Sequence, residues 1–218
     1  MRLKGLIGGL FLALLMGGCT YSSYDTGEGD YSSLRADFGI LMTNAKAQIE
    51  SFLSDDDVTY HFSVPAEVEG LKPDTTYRAL VYYDYDGVKK AKLRGTSSVG
   101  VVTPSPLKEN ETMKTDPVHW ESTWVSANAS YINLALSVMT GASDYEELIR
   151  QRVGMVTDSV SQNRHYLTLY HDQAGQPEYY SRKIYVSIPV KENFASGDEV
   201  IITANTYEGL LRKTLIVP

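Results

Sequence analysis

The sequence predicts an all-β protein made of two β-rich units. Apolar and polar residues alternate with a period of two along most of the chain, as they do in strands that bury one face. Tyrosine is abundant, with 16 tyrosines against 5 phenylalanines and 2 tryptophans, and aromatic residues favour half-exposed strands. A segment with three prolines and many charges, PSPLKENETMKTDP at 104–117, separates the two alternating regions.

The first unit, residues 35–105, is predicted to be a small barrel. Its clearest element is a hairpin, in which the strand TYRALVYYDY is followed by Asp86-Gly87 and then by VKKAKLR. An Asp-Gly pair tolerates the positive φ angles of a tight hairpin turn. Ser98–Thr103 is predicted as the fifth strand of this unit. The strands predicted before it are 35–42, 46–53, 58–64 and the first arm of the hairpin, and five short strands in a segment of this length fit a barrel of the oligonucleotide/oligosaccharide-binding (OB) type.

The second unit, residues 106–218, is predicted to be an antiparallel β-sandwich. Its strands carry apolar residues at every second position, so that one face of each strand turns inward. Trp120 and Trp124, four residues apart, are expected on one strand face. Ser143–Arg152 is the single helix predicted, with Glu146 and Glu147 near its positive end. The inward positions are expected to be Ile132, Leu134, Leu136 and Val138, then Leu167 and Leu169, then Ile184, Val186 and Ile188, then Val200, Ile202, Leu211, Leu215 and Val217.

The first 19 residues predict a cleaved, lipidated N-terminus. Arg2 and Lys4 precede a short apolar run, which is typical of a secretory signal peptide over residues 1–18. Two glycines stand directly before Cys19, the only cysteine, in the manner of a bacterial lipobox. Lipidation of Cys19 would attach the protein to a membrane, and residues 19–34 would form a flexible polar tether. Cleavage removes two basic and no acidic side chains, so the net charge falls from −7 to −9.

Several functional classes are disfavoured by composition. The acidic net charge argues against a nucleic-acid partner, which requires a cationic face. A single cysteine provides neither a disulfide nor a cysteine-rich metal site. His165 and His171 lie six residues apart on one predicted strand, about 20 Å at about 3.3 Å per residue, too far for one zinc ion. No G-x-S-x-G nucleophile motif occurs. We therefore expect no catalytic residues, no metal and no cofactor.

Two kinds of surface site are predicted. Tyr82, Tyr83 and Tyr85 in the first unit, with Tyr179 and Tyr180 in the second, form a candidate binding surface for a sugar or a protein, because tyrosine combines a flat apolar ring with a hydroxyl. The same tyrosines also suit ordinary strands. Acidic–hydroxyl–apolar triplets make Thr75 and Ser159 candidate O-glycosylation positions.

Six blocks of sequence, taken together and in order, resemble the NigD-like lipoproteins of Bacteroidota. The resemblance covers nearly the whole mature chain, and the longest block is the most specific. It implies an N-terminal OB-type barrel, a C-terminal β-sandwich and a location in the cell envelope, but it supplies no reaction, cofactor or catalytic residue. The blocks are RADF at 35–38, TYRALVYYD at 76–84, MKTDPVHWESTW at 113–124, YINLAL at 131–136, LYHDQAGQPEYYSRKIYVSIP at 169–189 and ITANTYEG at 202–209.

The sequence therefore predicts an outer-membrane lipoprotein, facing either the periplasm or the cell surface. Its expected role is that of a non-catalytic binding module, with the membrane as one partner through its lipid and a protein or glycan as the other. Two alternatives stay open at this stage, an envelope hydrolase whose carboxylates are gathered by the fold and an immunity or shielding lipoprotein.

Overall fold

The strands fall into one closed barrel and two four-stranded sheets. A computed structural model describes residues 33–85, 90–141 and 151–218, and residues 33–218 form one compact unit. The barrel strands are β1 (Leu34–Thr43), β2 (Gln48–Ser54), β3 (Thr59–Glu67), β4 (Thr76–Tyr85) and β5 (Lys90–Ser98). The remaining strands are β6 (Gly100–Val101), β7 (His119–Val125), β8 (Tyr131–Thr140), β9 (Arg152–Ser161), β10 (Arg164–Asp172), β11 (Tyr180–Pro189), β12 (Glu199–Thr206) and β13 (Gly209–Ile216).

The barrel closes in the order β1-β2-β3-β5-β4. All neighbours pair antiparallel except β3 and β5, which run parallel. Alternate residues point inward and fill the interior with aromatic rings, of which Phe52 and Tyr83 are fully buried. The two rings contact each other edge to face, with centroids 4.9 Å apart. The predicted five-stranded barrel is confirmed.

One predicted barrel strand is wrong. Ser98 ends β5, and the chain leaves the barrel at Val99. Gly100 and Val101 then pair in parallel with Val186 and Ser187 of β11, so they belong to the second unit. The barrel is closed instead by the second arm of the β4–β5 hairpin. Alternation alone cannot indicate which sheet a strand will join. The chain passes from the barrel to the sandwich at Val99, before the predicted boundary at 105–106.

Two predicted local features lie outside the described residues. The turn Asp86-Gly87 is one of them, although the strands on either side of it pair antiparallel as expected. The predicted helix at 143–152 falls almost entirely on 142–150, and Arg152 at its end begins β9. Within the part of the chain that the structure describes, no helix is long and apolar enough to span a bilayer.

The predicted β-sandwich is also confirmed, but it is not purely antiparallel, because β10 pairs in parallel with β12 and β6 with β11. One sheet has the order β13-β12-β10-β9 and the other β6-β11-β8-β7. The side chains predicted at alternate positions of β8, Ile132, Leu134, Leu136 and Val138, all lie in the core between the sheets. Facing them across the core are residues from the other sheet, including Leu167, Leu169, Val200 and Ile202.

The two tryptophans of β7 do not share a face. A bulge at Glu121 shifts the register, so that Trp120 pairs with Leu136 while Trp124 pairs with Asn133. Because these partners are an odd number of residues apart, the two rings emerge on opposite sides of the sheet. Trp120 packs against the sandwich core. Trp124 instead contacts Phe38 of the barrel, with ring centroids 5.3 Å apart, and the one-face prediction is wrong.

The outer face of the sheet β6-β11-β8-β7 packs against the barrel. Arg78 of β4 lies at the centre of this contact, and its guanidinium binds both carboxylate oxygens of Asp55 at 2.5 and 2.7 Å. The same group donates to Asn133 at 3.0 Å and to Ser187 at 3.2 Å, on two strands of the sandwich. Its Cζ also lies 4.0 Å from the centroid of the Tyr131 ring. This Arg78 network joins the barrel and the sandwich through directional contacts.

Candidate binding cleft between two sheet edges

The two lateral sides of the sandwich differ. On one side an extended segment covers the space between the sheets. It pairs through Gly100 and Val101 with β11 and then through Ser105 with Val156 of β9. On the other side β7 and β13 are edge strands, and between them lies an open cleft of about 590 Å³. This sandwich cleft is concave and is lined by residues of both sheets, and ligand sites are commonly concave.

One end of the sandwich cleft is closed by contacts between the two sheets. The Val118 N–H donates to the Asn205 carbonyl at 3.2 Å. Next to it the rings of His119 and Tyr207 stack at 4.6 Å with an interplanar angle of 23°. The Tyr207 hydroxyl donates to Glu178 Oε1 at 2.7 Å. Burial and this carboxylate raise the pKa of Tyr207, which therefore stays a neutral donor at physiological pH.

Trp120 lines the sandwich cleft. Its indole Nε1 is buried and has no hydrogen-bond partner in the described part of the chain. Buried donors of native proteins are normally paired, so this one is a point of unused hydrogen-bonding capacity. Leu211 and Leu215 of β13 add apolar surface to the same cavity.

Charged side chains of both signs border the sandwich cleft. Lys213 comes from β13, Glu208 from the preceding turn and Glu121 from the bulge of β7. The Glu121 carboxylate is held by the Lys183 ammonium and the Ser137 hydroxyl. These hydrogen bonds lower the pKa of Glu121, so the group is ionised at neutral pH. The cleft thus combines aromatic rings, aliphatic side chains and fixed charge, a lining suited to binding.

The predicted tyrosine surface is only partly at the surface. Tyr83 is fully buried in the barrel core, where its hydroxyl donates to Asp37 Oδ2 at 2.5 Å, so its assignment to a binding surface is wrong. Alternation places Tyr83 inside because Val81 and Ala79, two and four residues earlier, also face inward. Tyr82 and Tyr85 are half-buried, and Arg35 lies 4.7 Å from the Tyr85 ring centroid.

Tyr179 and Tyr180 are the exposed members of that set, at 79% and 39% of their maximal area. They stand at the start of β11, where Tyr180 pairs with Thr140. None of the five predicted tyrosines is among the residues that line the sandwich cleft. The aromatic residues that do line it, Trp120 and Tyr207, were missed as site residues.

The two candidate O-glycosylation positions differ in their surroundings. Thr75 is half-buried beside β4, where its hydroxyl donates to the Pro73 carbonyl at 2.7 Å and its N–H donates to Thr43 Oγ1 at 2.9 Å. Ser159 is exposed on β9, opposite Tyr166 of β10. Modification of either stays a prediction, as does lipidation of Cys19, which lies outside the described residues.

The two histidines of β10 have separate structural partners. His171 is fully buried, and its Nδ1–H donates to the Asp116 carbonyl at 2.9 Å. His165 lies at the other end of the strand, with Nε2 2.9 Å from Asp198 Oδ2. Hydrogen bonds from the Ala195 N–H and from His165 lower the pKa of Asp198. Among the described residues, no cluster of three or more His, Cys, Asp or Glu side chains is placed to hold a metal ion.

Three solved structures share this fold over most of the chain. A NigD-like immunity protein from Bacteroides caccae is 19% identical, with a TM-score of 0.66 and coverage of 85% of this chain and 98% of its own. A candidate toxin-related protein from Parabacteroides distasonis is 14% identical, with a TM-score of 0.62 and coverage of 84% and 92%. A candidate lipoprotein from Bacteroides fragilis is 11% identical, with a TM-score of 0.58 and coverage of 84% and 99%.

At these identities the structural similarity concerns the fold. Comparison with curated protein sequences gives no significant match. The sequence of residues 100–216 matches the model of the NigD-like C-terminal beta sandwich domain. That segment begins at β6, the first strand of the sandwich, and ends with β13. The chain therefore belongs to the NigD-like family, as its sequence blocks predicted.

Proposed function

We propose that this chain is a lipid-anchored, non-catalytic binding protein of the bacterial cell envelope, and that the sandwich cleft is its binding site for a protein or glycan ligand. The observation that carries the proposal is the lining of this cleft. Trp120 and Tyr207 offer aromatic surface, and Lys213 and Glu208 offer charge, around one concave space. Aromatic rings beside charged and hydroxyl groups in one concave space suit a glycan or a protein ligand.

The environment of Glu121 makes it a poor candidate for the general acid of a hydrolase. A general acid needs a carboxyl whose pKa is raised towards neutrality. Glu121 has the opposite environment, because Lys183 and Ser137 stabilise its ionised form and lower its pKa. A carboxylate already engaged by an ammonium and a hydroxyl is a poor proton donor, so the proposal assigns it a structural role.

The N-terminal sequence supports attachment to the envelope. A signal-type leader ends directly before Cys19. A related fold, in the Bacteroides fragilis protein, occurs in a candidate lipoprotein. Two or more acyl chains on one cysteine give lasting attachment, at about 0.8 kcal/mol per buried CH₂. The acidic body would not adhere to anionic headgroups by itself, which leaves the lipid as the anchor.

Ligand binding is tested with the purified chain on a glycan array and against envelope extracts. The two tryptophans make the site assignment specific, since Trp120 lines the cleft and Trp124 lies against the barrel. In Trp124→Phe the emission of Trp120 should shift when a captured ligand is added. In the matched variant Trp120→Phe the emission of Trp124 should not. Silence of both the array and the extracts, or a shift only in Trp120→Phe, would overturn the assignment.

Attachment is tested by mass spectrometry of the protein from its native cells. We expect a diacylglyceryl thioether on Cys19 and no leader. An unmodified Cys19, or an intact leader on a soluble species, would overturn the envelope assignment. Protease treatment of intact cells then decides whether the body faces the surface or the periplasm.

An immunity role is a second candidate function. It is favoured by the Bacteroides caccae relative, which is named a NigD-like immunity protein. Here the sandwich cleft would hold a toxic protein or the envelope target that this toxin attacks. Deletion of the gene should then sensitise cells to antimicrobial peptides and proteins of neighbouring strains. If sensitivity is unchanged while ligand binding is intact, the immunity role is rejected and the general binding role stands.

A further inference from the structure

We propose that the free edge of β13 receives an extended, acidic peptide segment of a partner protein, which adds to the sheet as a further strand along the sandwich cleft. The inference rests on the proposed binding function and specifies its ligand class. It starts from the position of β13, which among the described strands pairs only with β12 and has no strand on its other edge.

The hydrogen-bond pattern identifies which backbone groups face the open edge. The Val217 N–H donates to the Asp198 carbonyl at 2.9 Å, on the side of β12. In an antiparallel pair the residues alternate between bonding to the partner and pointing away from it. The register runs without a shift from Glu199↔Ile216 to Thr206↔Gly209. The outward N–H and C=O groups therefore belong to Leu210, Arg212, Thr214 and Ile216.

The edge of β13 is a better template than that of β7. The bulge at Glu121 interrupts the register of β7, and bulges disfavour the addition of a strand. The eight residues of β13 pair regularly throughout. No backbone hydrogen bond reaches its outer edge from elsewhere in the described part of the chain. An added strand could thus form a continuous ladder with it.

Both faces of β13 offer apolar surface to an added strand. Leu211 and Leu215 line the cleft on one face. On the other face Leu210 and Ile216 are 76% and 66% exposed, so both leave aliphatic surface in contact with water. An added strand would place alternate side chains beside the first pair, over Trp120, and beside the second pair. Both sets of apolar surface would lose contact with water.

The opposite side of the same sandwich provides an internal precedent. There the extended segment that starts at Gly100 pairs with β11, and the Val102 N–H donates to the Ser187 carbonyl at 3.0 Å. The segment then bonds to the edge of β9, through the Ser105 N–H to Met155 at 3.2 Å and the Thr157 N–H to Ser105 at 2.9 Å. One lateral opening of this sandwich is thus already closed by strand-like pairing.

Charge favours an acidic peptide. Arg212 and Lys213 stand next to each other on β13, opposite the uncharged Thr203 and Ile202. Neither takes part in a salt bridge among the described residues. A carboxylate directly across the new ladder would give each cation an opposite charge at close range.

The test uses a phage-displayed library of random peptides, selected on the purified full chain. Selected peptides are synthesised, and their affinity is measured for the wild type and two variants. Thr214→Pro removes an outward N–H and leaves the pairing with β12 intact, since proline is tolerated on such an edge. Thr214→Val keeps the N–H. We expect extended peptides in which two adjacent acidic residues, opposite Arg212 and Lys213, are flanked by apolar residues. Their affinity should fall at least about tenfold on Thr214→Pro and stay within about twofold on Thr214→Val. Charge reversal in Arg212→Glu should weaken them about tenfold as well.

Other outcomes overturn the proposal and are distinguishable from one another. Peptides that bind Thr214→Pro as well as the wild type use another surface. A glycan that shifts Trp120 emission equally in both Thr214 variants would keep the cleft as a binding site and remove the strand addition. A concentration-dependent dimer that Thr214→Pro dissociates would mean that a second copy occupies the edge. The absence of any peptide binder, with a glycan bound, would reject the peptide class alone.

Discussion

The sheet β6-β11-β8-β7 is buried on both faces, and the two faces are built from different chemistry. On its inner face Ile132, Leu134 and Leu136 pack into an apolar core. On its outer face Asn133 and Ser187 bind Arg78 of the barrel. Apolar packing is non-directional and supplies most of the free energy of folding. A buried ionic network contributes little net stability, but its geometry is specific. The inner face therefore stabilises the sandwich, whereas the outer face sets how the barrel sits on it.

The largest effect that separates these roles is expected at Arg78. Arg78→Met leaves the Asp55 carboxylate without its cation in a site where its side chain is 15% exposed. We expect a loss of about 3–5 kcal/mol in the free energy of unfolding, measured by urea denaturation. The double variant Arg78→Met/Asp55→Leu removes both charges and should recover most of that loss. If Arg78→Met lowers the free energy of unfolding by less than about 1 kcal/mol, the proposed difference between the two faces is contradicted.

Leu134→Ala tests the inner face. Leu134 is fully buried, and its truncation removes transfer free energy and leaves a cavity, so we expect a loss of about 3 kcal/mol. No second substitution on the barrel should rescue it. Val160→Ala, at a position 56% exposed, is the control and should change stability by less than about 0.5 kcal/mol. Equal effects of the two variants would contradict the assignment of Leu134 to the core.

A smaller effect is expected where the outer face is aromatic. The Phe38 ring of the barrel meets Trp124 and Tyr185 edge to face, each with centroids 5.3 Å apart. Phe38→Leu keeps an apolar side chain but removes both ring pairs, so we expect a loss of about 1–2 kcal/mol. The near-ultraviolet circular dichroism of Trp124 should change at the same time. An unchanged spectrum would mean that the barrel does not hold this ring.

The smallest effect concerns pH and the exposed rim of the same sheet. The pKa of Glu121 is lowered in the folded state by Lys183 and Ser137. Its contribution to stability is therefore complete above its unfolded pKa of about 4.3 and is lost as the pH falls through the lower folded value. Glu121→Gln should flatten the fall in melting temperature below about pH 4.5. A variant whose melting temperature falls as steeply as that of the wild type in acid would exclude this contribution.

Much of the fold could be predicted from alternation alone. In β8 a period of two correctly placed four aliphatic residues in the core, because strand geometry decides which side chains share a face. The same rule failed for Trp120 and Trp124, because a single bulged residue between them places their side chains on opposite sides of the sheet. It also failed at Ser98–Thr103, where the pattern is that of a strand but the partner strand, β11, is more than 80 residues away in the chain.

The candidate site was harder to predict for a related reason. The tyrosines of the sequence YYDY led to the prediction of a binding surface, but Tyr83 is a core residue. The sandwich cleft lies between β7 and β13, and its Trp120 and Tyr207 are 87 positions apart in the sequence. Nothing local distinguishes an edge strand that faces a cavity from one that faces solvent. Only the closure of one side of the sandwich by the 100–105 segment reveals that the other side is open.

The passage from barrel to sandwich has a mechanical consequence. A single residue, Val99, separates β5 from β6, and its N–H donates to the Arg78 carbonyl at 3.2 Å. The barrel and the sandwich are therefore joined without a flexible linker. A change in the angle between the barrel and the sandwich would therefore have to break the contacts that Arg78 makes with Asn133 and Ser187.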